Sequence, residues 1–133
     1  MGSEYNLRGG HMEVITNFDE IERICKGQVT GRYVRPKDSM LLQELARDIE
    51  KEKGYQRFLF DMTQAEIISG IMDSYEAATV PLDMDHTQVN QKIAVLYAKE
   101  LPDQKYITTV ATKKGYQVRS FYNMDGVVEW LRS

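Results

Sequence analysis

The stretch RFLFDMTQAEIISG, Arg57 to Gly70, carries an apolar run, Phe58-Leu59-Phe60, that reaches a carboxylate at Asp61 and then changes rhythm. A strand covered on both faces is apolar without alternation, as the central strands of α/β sheets are. Thr63-Gln64-Ala65-Glu66 fits a capping box, in which the Thr hydroxyl accepts from the N–H three residues on and the Glu carboxylate reaches back. Beyond it Ile67, Ile68, Ile71, Met72, Tyr75, Ala78 and Thr79 recur at helical spacing. Ser69, Asp73 and Glu76 take the opposite, wet side, and Pro81 stops the helix. The expectation is a buried strand that ends near Asp61 and hands over to a capped amphipathic helix.

The same alternation extends in both directions. Upstream, Glu13 to Asn17 and Ile21 to Thr30 read as short strands, Gln28 to Val34 being the better candidate, with Gly27 and Gly31 as punctuation. Pro36 opens a helix whose amino end holds Asp38 and Ser39, and Leu41, Leu42, Leu45, Ala46 and Ile49 share one face of it. Gly54 supplies the left-handed residue that ends such a helix. Downstream, Ile93 to Tyr97 is a further buried strand. Leu101-Pro102-Asp103 starts a helix with Tyr106, Ile107, Val110 and Ala111 inward, and Tyr116 to Phe121 alternates like an edge strand. Asn123 caps a last helix with Met124, Val127, Val128 and Leu131 inward and Trp130 alongside. Strands alternating with helices imply an α/β domain with a largely parallel sheet and right-handed crossovers.

Composition narrows the function classes. At 133 residues the chain suits one domain around a single core, and 42% hydrophobic with 28% charged residues is a globular balance. A net charge of -3 makes nucleic acid a poor partner. No apolar run approaches the length of a membrane helix, so no integral membrane segment is expected. The single cysteine, Cys25, excludes an internal disulfide and suits a reducing compartment, which points to the cytoplasm. Residues 1–11, MGSEYNLRGGH, are glycine-rich, lack an apolar h-region and read as a leader, leaving residues 12–133 as a single domain and His86 as its one histidine.

Two strings resemble catalytic motifs and fail on context. FLFDM looks like the phosphoacceptor strand of a two-component receiver. That chemistry needs an acidic pair after the first strand, a hydroxyl after the fourth and a lysine after the fifth, whereas Ala98-Lys99 and Phe121-Tyr122 stand at the last two places. Asp83-Met84-Asp85-His86-Thr87 matches the DxDxT string of haloacid-dehalogenase-type phosphatases, where the first Asp is the nucleophile. Pro81 interrupts the strand that motif must follow, and too little chain remains for that fold. As a metal site the same residues lack a further ligand at suitable spacing. Cys25 has no evident His partner, Lys113-Lys114 complements a helix dipole, and the eight tyrosines are dispersed. No cofactor is implied. The plain reading of Asp61 is a strand-end carboxylate held by nearby backbone N–H groups.

Lys92 to Tyr97, Val110-Ala111-Thr112-Lys113-Lys114-Gly115-Tyr116 to Phe121, and Val128-Glu129-Trp130-Leu131 together resemble the SpoIIAA-like group of the STAS superfamily. Val29-Thr30-Gly31, the long first helix and the Phe58 to Met62 strand follow the same order. The resemblance implies a four- to five-stranded mixed, mostly parallel sheet with helices mainly on one face and an early antiparallel strand. It also implies a non-enzymatic regulatory module that binds another protein. Antagonists of anti-sigma factors in this superfamily carry Asp-Ser-Ser-Gly at the start of the second helix and are switched by phosphorylation of the first serine. Here the stretch is Ile67-Ile68-Ser69-Gly70, so isoleucines replace the Asp and the phosphoacceptor, and only Ser69 could take that part, with Ser74 behind it. The candidate binding residues are Asp61, Thr63, Ser69, Asp73, Ser74 and Glu76. A second class, small-ligand or lipid binding of Sec14 type, would use Ile67, Ile71, Met72 and Tyr75 as a cleft; a third, hydrolase chemistry, would centre on Asp61 and Asp83. Self-association as a homodimer is a further expectation, with no clear sequence signal behind it.

Overall fold

The computed structural model describes residues 6–34, 37–68, 90–100 and 117–133. Among the described residues six strands occur in chain order as β1 (Leu7–Gly9), β2 (Met12–Asp19), β3 (Ile24–Val34), β4 (Arg57–Ile68), β5 (Lys92–Leu96) and β6 (Gln117–Phe121). Two helices accompany them there, α1 (Lys37–Lys53) and α2 (Val127–Arg132). The strands form one sheet in the order β1-β2-β3-β4-β5-β6. The first two pairings are antiparallel and the remaining three parallel. A mixed, mostly parallel α/β sheet with early antiparallel strands is therefore present. Its strand count exceeds the expected four to five because Leu7–Gly9, inside the stretch set apart as a leader, pairs with Met12 to Val14.

Two apolar layers flank the sheet. On one face α1 buries Leu42, Leu45, Ala46 and Ile49 against Met12, Val14, Cys25, Val29, Phe58, Phe60 and Met62. Full burial of each Leu or Ile there contributes about 1.5–3 kcal/mol. On the other face α2 buries Val127 and Leu131 against Ile24, Leu59, Ala94, Leu96 and Phe121. Phe58 and Phe60 thus serve one layer and Leu59 the other, which is why that run is apolar without alternation. Gly27 makes room for this packing: a Cβ there would lie 2.9 Å from the Phe60 ring.

The α1 expectation holds along its apolar face and at its carboxyl end, while Pro36, expected to open the helix, lies outside the described residues. Gly54 has φ 77° and its N–H donates to the Glu50 carbonyl at 2.8 Å, ending the helix in the left-handed conformation that glycine tolerates. At the amino end the Asp38 carboxylate is buried and accepts from the Val34 backbone N–H at 2.7 Å, tying the helix start to the strand before it. Gln91, 1% exposed, donates to the Ala46 carbonyl and to Glu50 Oε1, fixing the entry to β5 under the same helix.

Three expectations are corrected. The strand that contains Phe58 does not end near Asp61; it runs to Ile68, so Thr63 to Glu66 is strand and no capping box forms there. Ile67 and Ile68 are strand residues too, and the rest of the helix expected up to Thr79 lies outside the described residues. Met124 is not inward: it is 48% exposed, and the last helix begins only after Gly126. Asn123 caps no helix; its Oδ1 accepts from the Asp125 N–H, closing a turn ahead of α2.

A β-bulge explains the first correction. Gln28 pairs with Asp61 and Thr30 with Gln64, so Met62 and Thr63 together face Val29. One extra residue switches which positions point inward. Phe58, Phe60 and Met62 face α1 before the bulge, and Ala65 and Ile67 join the same layer after it. The resulting spacing of apolar residues, with a step of three at Met62 to Ala65, imitates a helix while the backbone remains extended.

Candidate functional site

Beyond the bulge β4 outruns β5, whose pairing with it stops at Asp61 and Leu96. The end of β4, paired there only with β3 among the described strands, and the chain leaving β5 therefore leave a recess at the carboxyl ends of two parallel strands, the position where open α/β sheets bind ligands. Met62, Ala65, Glu66, Ile67, Tyr97, Ala98 and Lys99 line it, and its volume is about 300 Å³. Met62 and Tyr97 form a buried floor. Tyr97 is held at the backbone by donating to the Phe121 carbonyl at 2.8 Å, and its ring lies 6.3 Å from that of Tyr122.

Charge sits at the rim. Glu66 faces Arg32 across the β3–β4 pairing at 3.5 Å, with both side chains largely exposed. Such a pair contributes little to stability. Lys99 is exposed on the opposite wall. Nearby, the Tyr122 hydroxyl is pushed above the usual phenol range by burial and by the Glu100 carboxylate. This arrangement can enclose an apolar group and orient a charged one. Among the described residues no three of His, Cys, Asp and Glu gather closely enough to hold a metal ion.

Of the residues singled out from sequence, Asp61 and Thr63 are described, and the recess includes neither. Asp61 Oδ1 accepts from the Thr63 N–H at 2.9 Å and from the Thr63 hydroxyl at 2.6 Å. The pair braces the bulge. The expectation that nearby backbone N–H groups hold this carboxylate is met in part: one N–H and one hydroxyl hold it, in mid-strand rather than at a strand end. Ser69, Asp73, Ser74 and Glu76, with Asp83 and His86, lie outside the described residues. Cys25 is fully buried, and burial pushes its thiol up to about 12, so it is no thiolate nucleophile at neutral pH.

Sequence reasoning missed the recess. Its signal was present in the strand end Tyr97-Ala98-Lys99, which the periodicity located. The other wall is hidden by the bulge, since Ala65 and Ile67 read as the first turn of a helix. No helix of the described residues is long and apolar enough to cross a membrane.

No known protein family and no curated protein matches the sequence. Solved structures do match the fold. An uncharacterized protein of the DUF3478 family with a SpoIIAA-like fold, from Shewanella loihica PV-4, aligns over 94% of this chain and 98% of its own at 15% identity and a TM-score of 0.53. An anti-sigma factor antagonist from Mycobacterium paratuberculosis aligns over 96% of this chain and 100% of its own at 8% identity and a TM-score of 0.54. The chain has a SpoIIAA-like, STAS-type fold.

Proposed function

We propose that this SpoIIAA-like chain is a non-enzymatic regulatory module that acts by binding another protein in the cytoplasm. The observation that supports it is the near full-length likeness in fold to an anti-sigma factor antagonist. The binding surface is formed by the residues that follow β4 in the chain, Ser69, Asp73, Ser74 and Glu76. The phosphorylation switch of such antagonists would take a different form here. Ile67 and Ile68, which replace its Asp and first serine, are strand residues in β4, leaving Ser69 as the first hydroxyl after the strand.

The test begins with partners captured on immobilised protein, identified and then purified. Ser69→Glu and Asp73→Arg should each lower the affinity of the specific partner at least tenfold while leaving thermal unfolding unchanged. A purified partner that binds both variants as well as the parent removes this surface from the reading. An esterase or phosphatase activity that disappears in Asp61→Ala or Asp83→Ala would remove the non-enzymatic assignment.

The recess favours a second reading, binding of a small apolar ligand. About 300 Å³ is at the lower end for ligand pockets, which are mostly apolar with a few polar groups at the edge. Native mass spectrometry of protein taken from cells should show a retained small molecule, lost in Ala65→Trp. Bare protein in both samples counts against it.

A further inference from the structure

The outer edge of β2 is held by a very short strand. β1 pairs only Leu7 with Val14, Arg8 with Glu13 and Gly9 with Met12, whereas β2 continues to Asp19. Three further contacts keep β1 in place. Asn6 Oδ1 accepts from the Thr16 N–H at 3.2 Å, the Arg8 guanidinium donates to the Glu13 carboxylate at 2.6 Å, and Leu7 rests against the core layer. The ion pair is exposed, with 78% and 39% of the two side chains accessible, so it holds the strand weakly. Edge strands of this kind are templates for further pairing.

We propose that β1 is a displaceable latch, and that the edge it covers is the surface through which two copies of this chain join, β2 against β2, in one continuous sheet. The existing β1 pairing shows that this edge accepts an antiparallel strand. The sequence of β2 also suits pairing with itself. Thr16 donates outward on this edge, so the backbone groups of Val14 and Thr16 point out and those of Ile15 point toward β3. A two-fold axis at Ile15 then sets Val14 opposite Thr16 of the second copy as the hydrogen-bonded pair. Glu13 meets Asn17, and Met12 meets Phe18. No like charges face one another. Ile15, which is 45% exposed on the α2 side of the sheet but outside the layer that α2 covers, meets its own copy in a non-hydrogen-bonded pair, the kind whose side chains approach most closely. A symmetric, self-complementary contact of this type closes at two copies.

The full chain carries the test, read as mass in solution by light scattering or sedimentation. Leu7→Pro removes a β1 donor and should raise the dimer fraction several-fold over the parent. Adding Ile15→Lys, which sets two ammonium groups together at the axis, should restore the monomer. Asn6→Ala serves as the milder latch variant if Leu7→Pro fails to fold. The register has its own readout. In an antiparallel pair of this kind the two Ile15 Cα atoms lie about 4.5 Å apart, within disulfide reach. Leu7→Pro/Ile15→Cys should oxidise to a covalent dimer, and Leu7→Pro/Glu13→Cys should not. Latch variants that stay monomeric at every concentration, a dimer indifferent to Ile15→Lys, or equal cross-linking at both positions would each overturn the proposal. A parent chain already dimeric and made monomeric by Ile15→Lys supports it.

Discussion

Asp61 and Thr63 close a two-residue turn inside a continuous strand: one carboxylate oxygen takes both the N–H and the hydroxyl of Thr63, at 2.9 and 2.6 Å. This contact holds the extra residue that the bulge needs. Asp61→Ala leaves a partly buried N–H without its charged acceptor and should cost about 1–2 kcal/mol. Asp61→Asn, which keeps an acceptor oxygen, should cost less. Urea unfolding followed by circular dichroism reads both, as a lower midpoint with an unchanged slope. Deleting Thr63 is the stronger test. It removes the switch in phase and turns Ala65 and Ile67 away from the core, so the loss should exceed that of either substitution.

Among the described glycines Gly31 has the least freedom to change. Its φ is +85°, and a Cβ there would come 2.1 Å from the His11 carbonyl oxygen, which accepts from the Arg32 N–H at 3.0 Å. Strain and collision act together, so Gly31→Ala should destabilise by at least about 2 kcal/mol. Gly10 and Gly126 also have positive φ, at +57° and +79°, with nothing within 4 Å of a new Cβ. Their alanine variants bear the backbone term alone, about 1 kcal/mol. Thermal unfolding should place Gly31→Ala below the other two variants, which should lie close together.

Lys92 fastens the end of α2 to the start of β5. Its ammonium donates to the Trp130 carbonyl at 3.1 Å, to the Ser133 hydroxyl at 2.8 Å and to the Ser133 carbonyl, and it lies 5.4 Å from the centre of the Trp130 ring. The last carbonyls of a helix have no partner within the helix, and a cation there also complements the dipole. A six-residue helix has little stability of its own, so this fastening matters more than it would for a long one. Lys92→Met keeps the apolar stem and removes the charge. It should cost about 1 kcal/mol overall and raise amide exchange selectively across Val127–Arg132.

The architecture was readable wherever apolar periodicity and punctuation agreed. Leu42, Leu45, Ala46 and Ile49 with Gly54 fixed α1, and Phe58 to Phe60 and Ile93 to Leu96 fixed central strands. It failed where one inserted residue changed the period. Met62, Ala65 and Ile67 lie on one face only because Thr63 is accommodated by a bulge, and without that knowledge a helix with a capping box fits the same letters. The recess was lost with it, since half of its wall is the misread segment. Leu7 to Gly9 was hidden differently. Leu7-Arg8-Gly9 is too short to carry a period, and its pairing rests on the Gly10 turn and the Asn6–Thr16 hydrogen bond, with a weak Arg8–Glu13 pair beside them.

Cys25 provides a chemical test of the core. Its side chain is fully buried between the sheet and α1, and burial raises its thiol from 9.0 to about 12. In the folded protein at pH 8 it should resist a thiol reagent that reacts at once in denaturant, since reaction needs both access and thiolate. The sign of the pH effect follows from linkage. The unfolded chain releases this proton near its ordinary pKa while the folded chain retains it, so the folded state loses stability as pH rises from about 9 toward 12. Below that window the thiol is protonated in both states and contributes no slope. Cys25→Ala should therefore be less stable than the parent at pH 8, because it leaves a small cavity, yet lose stability more gently above pH 9. Unfolding midpoints measured from pH 7 to the alkaline limit of folding decide it: parallel curves for the two proteins would mean that Cys25 is not buried as a neutral thiol.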